Sequence, residues 1–273
     1  MRLIRVLVVI FLVVAIGLYG AGGFKENRDA DPTLPSMSSD RDILEVTTDY
    51  TQEDLLEGLS AWDERDGDLT EDILVGDFSQ FIQPGLCNLS YVVFDSSNQA
   101  ATLSRQVQFT DYQSPKLTLS QPLVFTVGDD ASVTGLVGAT DMLDGDLSSL
   151  VLETGSDINT QEAGTYHVDV EVTNSFGDVE EQSLPVHVVE PGYQALSIEL
   201  TSYIAYILAG ETFDPGDYIQ SLENVSGTFL DSGLIQTESS VDTQTPGCYE
   251  VHYYAENDAG QWGETWLTVI VRD

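Results

Sequence analysis

The sequence predicts an all-β protein, three β-sandwiches in tandem behind a single N-terminal transmembrane helix. Three observations predict it. One strand pattern recurs three times in the same phase, an acidic glycine turn precedes it in two of the three copies, and the first 23 residues hold an unbroken apolar run and no acid.

The apolar run comes first in the chain. Arg2 and Arg5 precede an uncharged stretch from Val6 to Gly23, 18 residues that stand at the lower edge of what a helix needs to cross a bilayer. The run is longer than most cleavable signal cores, so residues 1–23 are read as a signal-anchor helix. Cleavage after Gly22, followed by secretion, is the alternative. The two arginines hold the N-terminus in the cytoplasm, against a weaker opposing pull from Lys25 and Arg28 on the far side. Everything after the helix is then expected outside the cell. Gly17, Gly20, Ala21 and Gly22 form a small-residue face that would let a partner helix approach closely. Residues 24–42, punctuated by Pro32 and Pro35 and without hydrophobic period, read as a linker.

The charge narrows the function classes. All 46 acidic residues follow the helix against seven basic ones, so the exported part carries 7 − 46 = −39. Nucleic acids and anionic lipids are excluded as partners, because such binding runs on basic residues that displace counterions. Clustered carboxylates instead invite divalent cations. A hydrophobic content of 42% is ample for folded cores.

The repeat is written in strand parity. After Gly164, apolar residues alternate at Tyr166, Val168, Val170 and Val172, and the run closes at Asn174 and Gly177. This is a half-buried strand left through a turn. The same offsets recur after Gly247 as Tyr249, Val251, Tyr253, Ala255, Asn257 and Gly260, and after Gly85 as Cys87, Leu89, Tyr91, Val93, Asp95 and Asn98. Gly177, Gly260 and Asn98 are types that tolerate a positive φ, which predicts a left-handed residue closing each hairpin. The copies start 79 and 83 residues apart, close to the size of a seven-stranded sandwich. The expected domains are 43–112, 113–190 and 191–273. Domains this small bury only about 60% of the surface of the unfolded chain, so contacts between neighbours matter to their stability.

Parity also places single residues. Tyr166 and Tyr249 point inward as corner tyrosines that bond back to backbone. Cys87 replaces them in the first copy and reads as a small buried hydrophobe. Cys248 is one residue out of phase, faces the other side of its strand, and if exposed would pair between chains. A Cys87–Cys248 disulfide is excluded by their different copies and opposite parity.

The acidic turns read Trp62-Asp63-Glu-Arg-Asp66-Gly67-Asp68 and Thr140-Asp141-Met-Leu-Asp144-Gly145-Asp146. Asp63, Asp66, Asp68, Asp141, Asp144 and Asp146 are the candidate metal ligands, since three aspartates at this spacing can turn several oxygens toward one Ca²⁺. The alternative is a tight turn in which Asp-Gly supplies the backbone angles and the carboxylates cap N–H groups. The third copy reads Glu223-Asn224-Val-Ser226-Gly227-Thr228 and is expected to hold no metal.

Copies one and two, with Ala61-Trp62-Asp63 or Ala139-Thr140-Asp141 leading into Asp-Gly-Asp-Leu and later a Gly-x-Cys or Gly-x-Tyr turn, resemble the bacterial immunoglobulin-like surface-protein domain, also called the pesticidal crystal protein Ig-like domain. Gly210-Glu-Thr-Phe213-Asp-Pro215 and Pro246-Gly-Cys-Tyr249 resemble the same family in copy three. The resemblance spans roughly residues 42–273. It implies Ig-like β-sandwiches used in tandem on bacterial exteriors, and it carries no catalytic residues.

No catalytic grouping emerges from the residues either. His167, His187 and His252 are the only histidines, and no Ser-His-Asp set, metal spacing or phosphate loop accompanies them. No cofactor is expected apart from calcium. The expected function is a non-catalytic, membrane-anchored extracellular spacer or adhesion module, with a cell-wall glycan, host glycan or protein as ligand. Trp262, Trp266, Tyr253 and Tyr254 are candidates for an aromatic glycan platform. The alternatives are an accessory subunit of a membrane or secretion complex, or a secreted binding protein.

Overall fold

A computed structural model describes residues 32–192 and 194–273. The expected transmembrane helix, 1–23, and the first part of the linker lie outside the described residues. Among the described residues no helix is long and apolar enough to cross a membrane.

The first sandwich comprises β1 (Ser36–Ser39), β2 (Ile43–Val46), β3 (Leu59–Asp63), β4 (Gly67–Asp68), β5 (Leu74–Phe78), β6 (Leu86–Phe94) and β7 (Ala100–Phe109). They form two sheets, β1-β3-β4 and β2-β7-β6-β5. The second repeats the plan with β8 (Lys116–Leu119), β9 (Val124–Thr126), β10 (Val137–Asp141), β11 (Gly145–Asp146), β12 (Leu152–Ser156), β13 (Gly164–Thr173) and β14 (Val179–Val189). Its sheets are β11-β10-β8 and β12-β13-β14-β9. The third has β15 (Leu196–Leu200), β16 (Ile204–Leu208), β17 (Ile219–Asn224), β18 (Ile235–Ser239), β19 (Gly247–Glu256) and β20 (Trp262–Arg272), in sheets β15-β17 and β16-β20-β19-β18. In each copy a short early strand runs parallel to the last one, β2 on β7, β9 on β14 and β16 on β20.

The period-two residues form the cores. Cys87, Leu89, Tyr91 and Val93 are buried along β6, Val168, Val170 and Val172 along β13, and Val251, Tyr253 and Ala255 along β19. The hairpins close as the turn residues predict, with φ of 62° at Asn98, 80° at Gly177 and 71° at Gly260. The corner tyrosines bond back four residues, Tyr166 to the Glu162 carbonyl at 3.0 Å and Tyr249 to that of Thr245 at 2.9 Å.

Two expectations are corrected. The linker 24–42 contains a strand, β1, which pairs with β3 from Ser36↔Trp62 to Ser39↔Leu59. It escapes the sequence reading because hydroxyls hold it, Ser36 on the Trp62 carbonyl and Ser38 on Ser60, leaving no hydrophobic alternation to detect. The third sandwich has six strands, not seven: its turn Asn224–Gly227 is a residue shorter than Asp141–Gly145 and leaves only an isolated Glu223–Phe229 bridge where β4 and β11 form elsewhere.

The expected weight of contacts between neighbours has a structural counterpart. The chain divides into two compact units, one ending at Asp111 and the other running from Tyr112 to Asp273. The second and third sandwiches therefore share one unit. Ile204 and Ile270 belong to the core of the second sandwich, with Tyr203, Tyr206 and Cys248 packed against it. The far side of β19, to which parity assigns Cys248, is thus covered and not open to another chain. Burial pushes the Cys248 thiol up to about 12, with Glu250 adding to the shift.

Candidate functional site

The aspartate turns sit where the short strands meet. Asp63 ends β3 and Asp141 ends β10, both buried. Each spends Oδ1 on the N–H groups of its own turn: Asp63 accepts from Arg65 at 2.7 Å and Asp66 at 3.0 Å, and Asp141 accepts from Leu143 at 2.8 Å and Asp144 at 3.0 Å. Asp66 reaches the neighbouring hairpin turn and takes both the N–H and the hydroxyl of Ser96 at 2.8 Å. Asp144 takes the same groups of Ser175 at 2.6 and 2.8 Å. Asp68 and Asp146 cap the 3-10 turns that follow, and bonds from Thr70 and Ser148, hydroxyl first and N–H second, hold their carboxyls below the usual range. Gly67 and Gly145 adopt φ of 83° and 74°, which the Asp-Gly step permits.

The carboxylates of Asp63, Asp66 and Asp68, and of Asp141, Asp144 and Asp146, diverge toward separate backbone donors. Among the described residues no group of three or more His, Cys, Asp or Glu is placed to hold a metal. What the aspartates do is tie two turns of each sandwich together.

The hairpin turns answer with a residue that motif reading passed over. Asp95, Asn174 and Asn257 occupy the same offset, and each Oδ1 accepts from the N–H groups two and four residues on, at 2.7 to 3.0 Å. In the second sandwich the Asn174 amide also donates to Asp141 Oδ2 at 3.2 Å and to the Tyr112 hydroxyl at 2.9 Å. Tyr112 in turn donates to Asp178 at 2.7 Å, and burial, reinforced by that bond, raises its phenol above the ordinary value. In the first sandwich the amide is replaced by the carboxylate of Asp95, and the Oδ2 atoms of Asp63 and Asp95 are buried without a hydrogen-bond partner among the described residues.

A second cluster joins the second and third sandwiches. Arg272, at the end of β20, pairs with Glu180 of β14 at 2.7 Å and donates to the carbonyls of Pro115 at 2.7 Å and Ser114 at 3.3 Å. Its guanidinium lies 4.4 Å from the centre of the Tyr206 ring. The Tyr206 hydroxyl accepts the Leu117 N–H at 2.7 Å, and desolvation first, with Glu180 second, drives its phenol upward. On the same junction His187 of β14 bonds Glu250 of β19 at 2.5 Å. The His187 ring stacks on Trp266 at 4.3 Å, and His252 covers the same indole at 4.6 Å while bonding Glu264 at 2.9 Å.

That stack dismantles the four-membered aromatic platform. Tyr253 lies in the core with its hydroxyl on the Pro215 carbonyl, and Trp266 is sandwiched between two imidazoles. Trp262 and Tyr254 remain near the surface with ring centres 6.5 Å apart. Among the histidines, His167 is exposed and His252 is half-buried.

Two shallow concavities are present. One of about 410 Å³ is lined by Glu45, Tyr50, Asp54 and Glu57 among others, and one of about 310 Å³ by Gln113, Ser114, Lys116, Thr140, Asp141 and Met142. Neither brings a nucleophile to a base.

Residues 201–271 match the family model of the bacterial surface protein, Ig-like domain. The resemblance read from the third repeat is thereby shown. Pesticidal crystal protein Cry22Aa of Bacillus thuringiensis is 31% identical over 137 residues, 49% of this chain and 18% of that protein. An uncharacterized 81.3 kDa protein of Acholeplasma phage L2 is 23% identical over 229 residues, 80% of this chain and 30% of that one. The chain thus spans less than a third of each of these two relatives. Among solved structures, CBM51-2 in complex with GlcNAc and INT domains from Clostridium perfringens ZmpB is 13% identical, with a TM-score of 0.24 over 88% of this chain and 42% of that one. Mouse Cadherin-23 EC22-24 is 14% identical, with a TM-score of 0.20 over 88% of this chain and 99% of that one.

Proposed function

We propose that this chain is a non-catalytic, membrane-anchored surface protein of a bacterial cell, whose Ig-like sandwiches serve as a structural spacer or binding module outside the membrane. The observation that carries the reading is the surface-domain family match over residues 201–271, on a sandwich that shares a core with its neighbour. A shared core suits a part that must hold position rather than open around a substrate. The two concavities, which assemble no nucleophile and base, favour a non-catalytic role. The uncharged run from Val6 to Gly23 supplies the anchor. For a ligand, Trp262 and Tyr254 leave an aromatic face suited to a sugar ring.

The test is protease treatment of intact cells that express the full chain with a C-terminal epitope. The expected outcome is an epitope that sediments with membranes and is removed by external protease. An epitope protected until the cells are lysed, or one released into the medium, would overturn the reading.

A further inference from the structure

The first sandwich contains two buried carboxylate oxygens that face no donor among the described residues. Asp63 is 1% exposed and Asp95 6%, and each spends Oδ1 on the backbone of its own turn. Among the described residues both Oδ2 atoms are left without a partner. The second sandwich shows what this place requires. There Asp141 Oδ2 is met by the Asn174 amide at 3.2 Å, a donor supplied by the chain itself.

Asp95 makes the same two backbone bonds as Asn174, so its Oδ2 stands where the Asn174 amide nitrogen stands. One repeat has an acceptor where the other has a donor. Buried carboxylate oxygens left unpaired are strongly disfavoured, and a positive charge between them turns the mismatch into coordination. We propose that Asp63 and Asp95 hold one hard divalent cation of the calcium class through their Oδ2 atoms.

The chemistry of the surroundings agrees. Hard cations take oxygen ligands in flexible numbers. The same corner offers the Thr33 hydroxyl, 3.5 Å from Asp63 Oδ1, and its turn carries Glu64, Asp66 and Asp68 against Arg65. The proposal assigns one site per chain. The second repeat has filled the place with the Asn174 amide, and in the third Asn257 closes on Gln261 at 2.8 Å. This differs from three ligands in an Asp-Gly-Asp turn, because the partner comes from the hairpin turn of β6 and β7. It does not depend on where in the cell the protein resides.

The experiment is calorimetric titration of Ca²⁺ into the metal-free full chain, wild type, Asp95→Asn and Asp63→Asn, with thermal unfolding of each in calcium and in chelator. Wild type is expected to show one saturable site, weak as in other extracellular modules, about 10⁻⁴ to 10⁻³ M. Calcium should raise the unfolding temperature of its first sandwich. Asp95→Asn rebuilds the donor of the second repeat, so its metal-free form should unfold later than metal-free wild type while the saturable site weakens at least tenfold. Asp63→Asn should also lose the site. Each variant changes one charge in a net −37, so diffuse ion binding stays constant across the series. Saturable binding that persists in both variants, or a wild type that shows none, would overturn the proposal.

Discussion

Arg105 in the first sandwich and Arg272 in the third lie on the last strands of their repeats, and they do opposite jobs with the same chemistry. Arg105 is turned inward and 4% exposed. Its guanidinium donates to the carbonyls of Leu55 at 2.8 Å and Glu57 at 2.7 Å and to the Tyr91 hydroxyl at 3.0 Å, with the Tyr91 ring 5.2 Å away. Arg272 also lies over a tyrosine ring and takes backbone carbonyls, but they belong to the second sandwich, and Glu180 balances its charge. One arginine closes a sandwich and the other joins two. A guanidinium can do either because its fan of donors satisfies several carbonyls at once while its face rests on an aromatic ring.

The comparison can be broken most severely at Arg105. Arg105→Leu leaves the Leu55 carbonyl with the Tyr91 hydroxyl as its remaining donor and takes the guanidinium bonds from the Glu57 carbonyl and Tyr91, and should cost the first sandwich about 4 kcal/mol. Hydrogen exchange followed by mass spectrometry should show faster exchange in β2, β6 and β7, with residues 112–273 unchanged. Arg272→Ala should cost somewhat less, about 3 kcal/mol, by leaving Glu180 nearly buried without its cation. Here the faster exchange should appear in β14, β16 and β20, and the single unfolding transition of the Tyr112–Asp273 unit should split in two. If each variant slowed or sped exchange in both units alike, the division of labour between the two arginines would be wrong.

The smallest effect sharpens the comparison where the first two repeats agree. The carboxyls of Asp68 and Asp146 are both held below the ordinary aspartate value of 3.8 by equivalent hydroxyls and N–H groups. A depressed folded pKa means that the stabilisation is fully present above the unfolded value and fades as pH falls through the folded one. Both turns should therefore loosen only below about pH 3.8. Ser148→Ala should raise the Asp146 titration midpoint, read by NMR, and leave Asp68 where it was. A shift at both residues, or at neither, would break the assigned equivalence.

Much of the architecture was legible because it is written locally. The alternation from Cys87 to Val93, from Tyr166 to Val172 and from Tyr249 to Ala255 is a property of one strand, and the side-chain period of two assigns its inward face without knowledge of its partners. Asn98, Gly177 and Gly260 betrayed their turns because few residues accept a positive φ. Strand β1 was illegible because serine hydroxyls and backbone secure it. The role of the Asp-Gly-Asp aspartates was legible only as two alternatives, since whether carboxylates converge on an ion or diverge onto N–H groups depends on backbone directions that spacing does not carry.

The sequence by itself determined an all-β chain of three repeats, their cores, their hairpin turns, the corner tyrosines and the acidic character of the chain. Only the tertiary structure decided that Cys248 is covered, that Trp266 lies between two histidines, that Arg272 joins neighbouring sandwiches, and that Asp63 and Asp95 leave oxygens unpartnered. The physical reason is range. Parity and turn chemistry act within a few residues, whereas burial, ion pairing and the meeting of two turns depend on atoms distant in sequence that folding alone brings together.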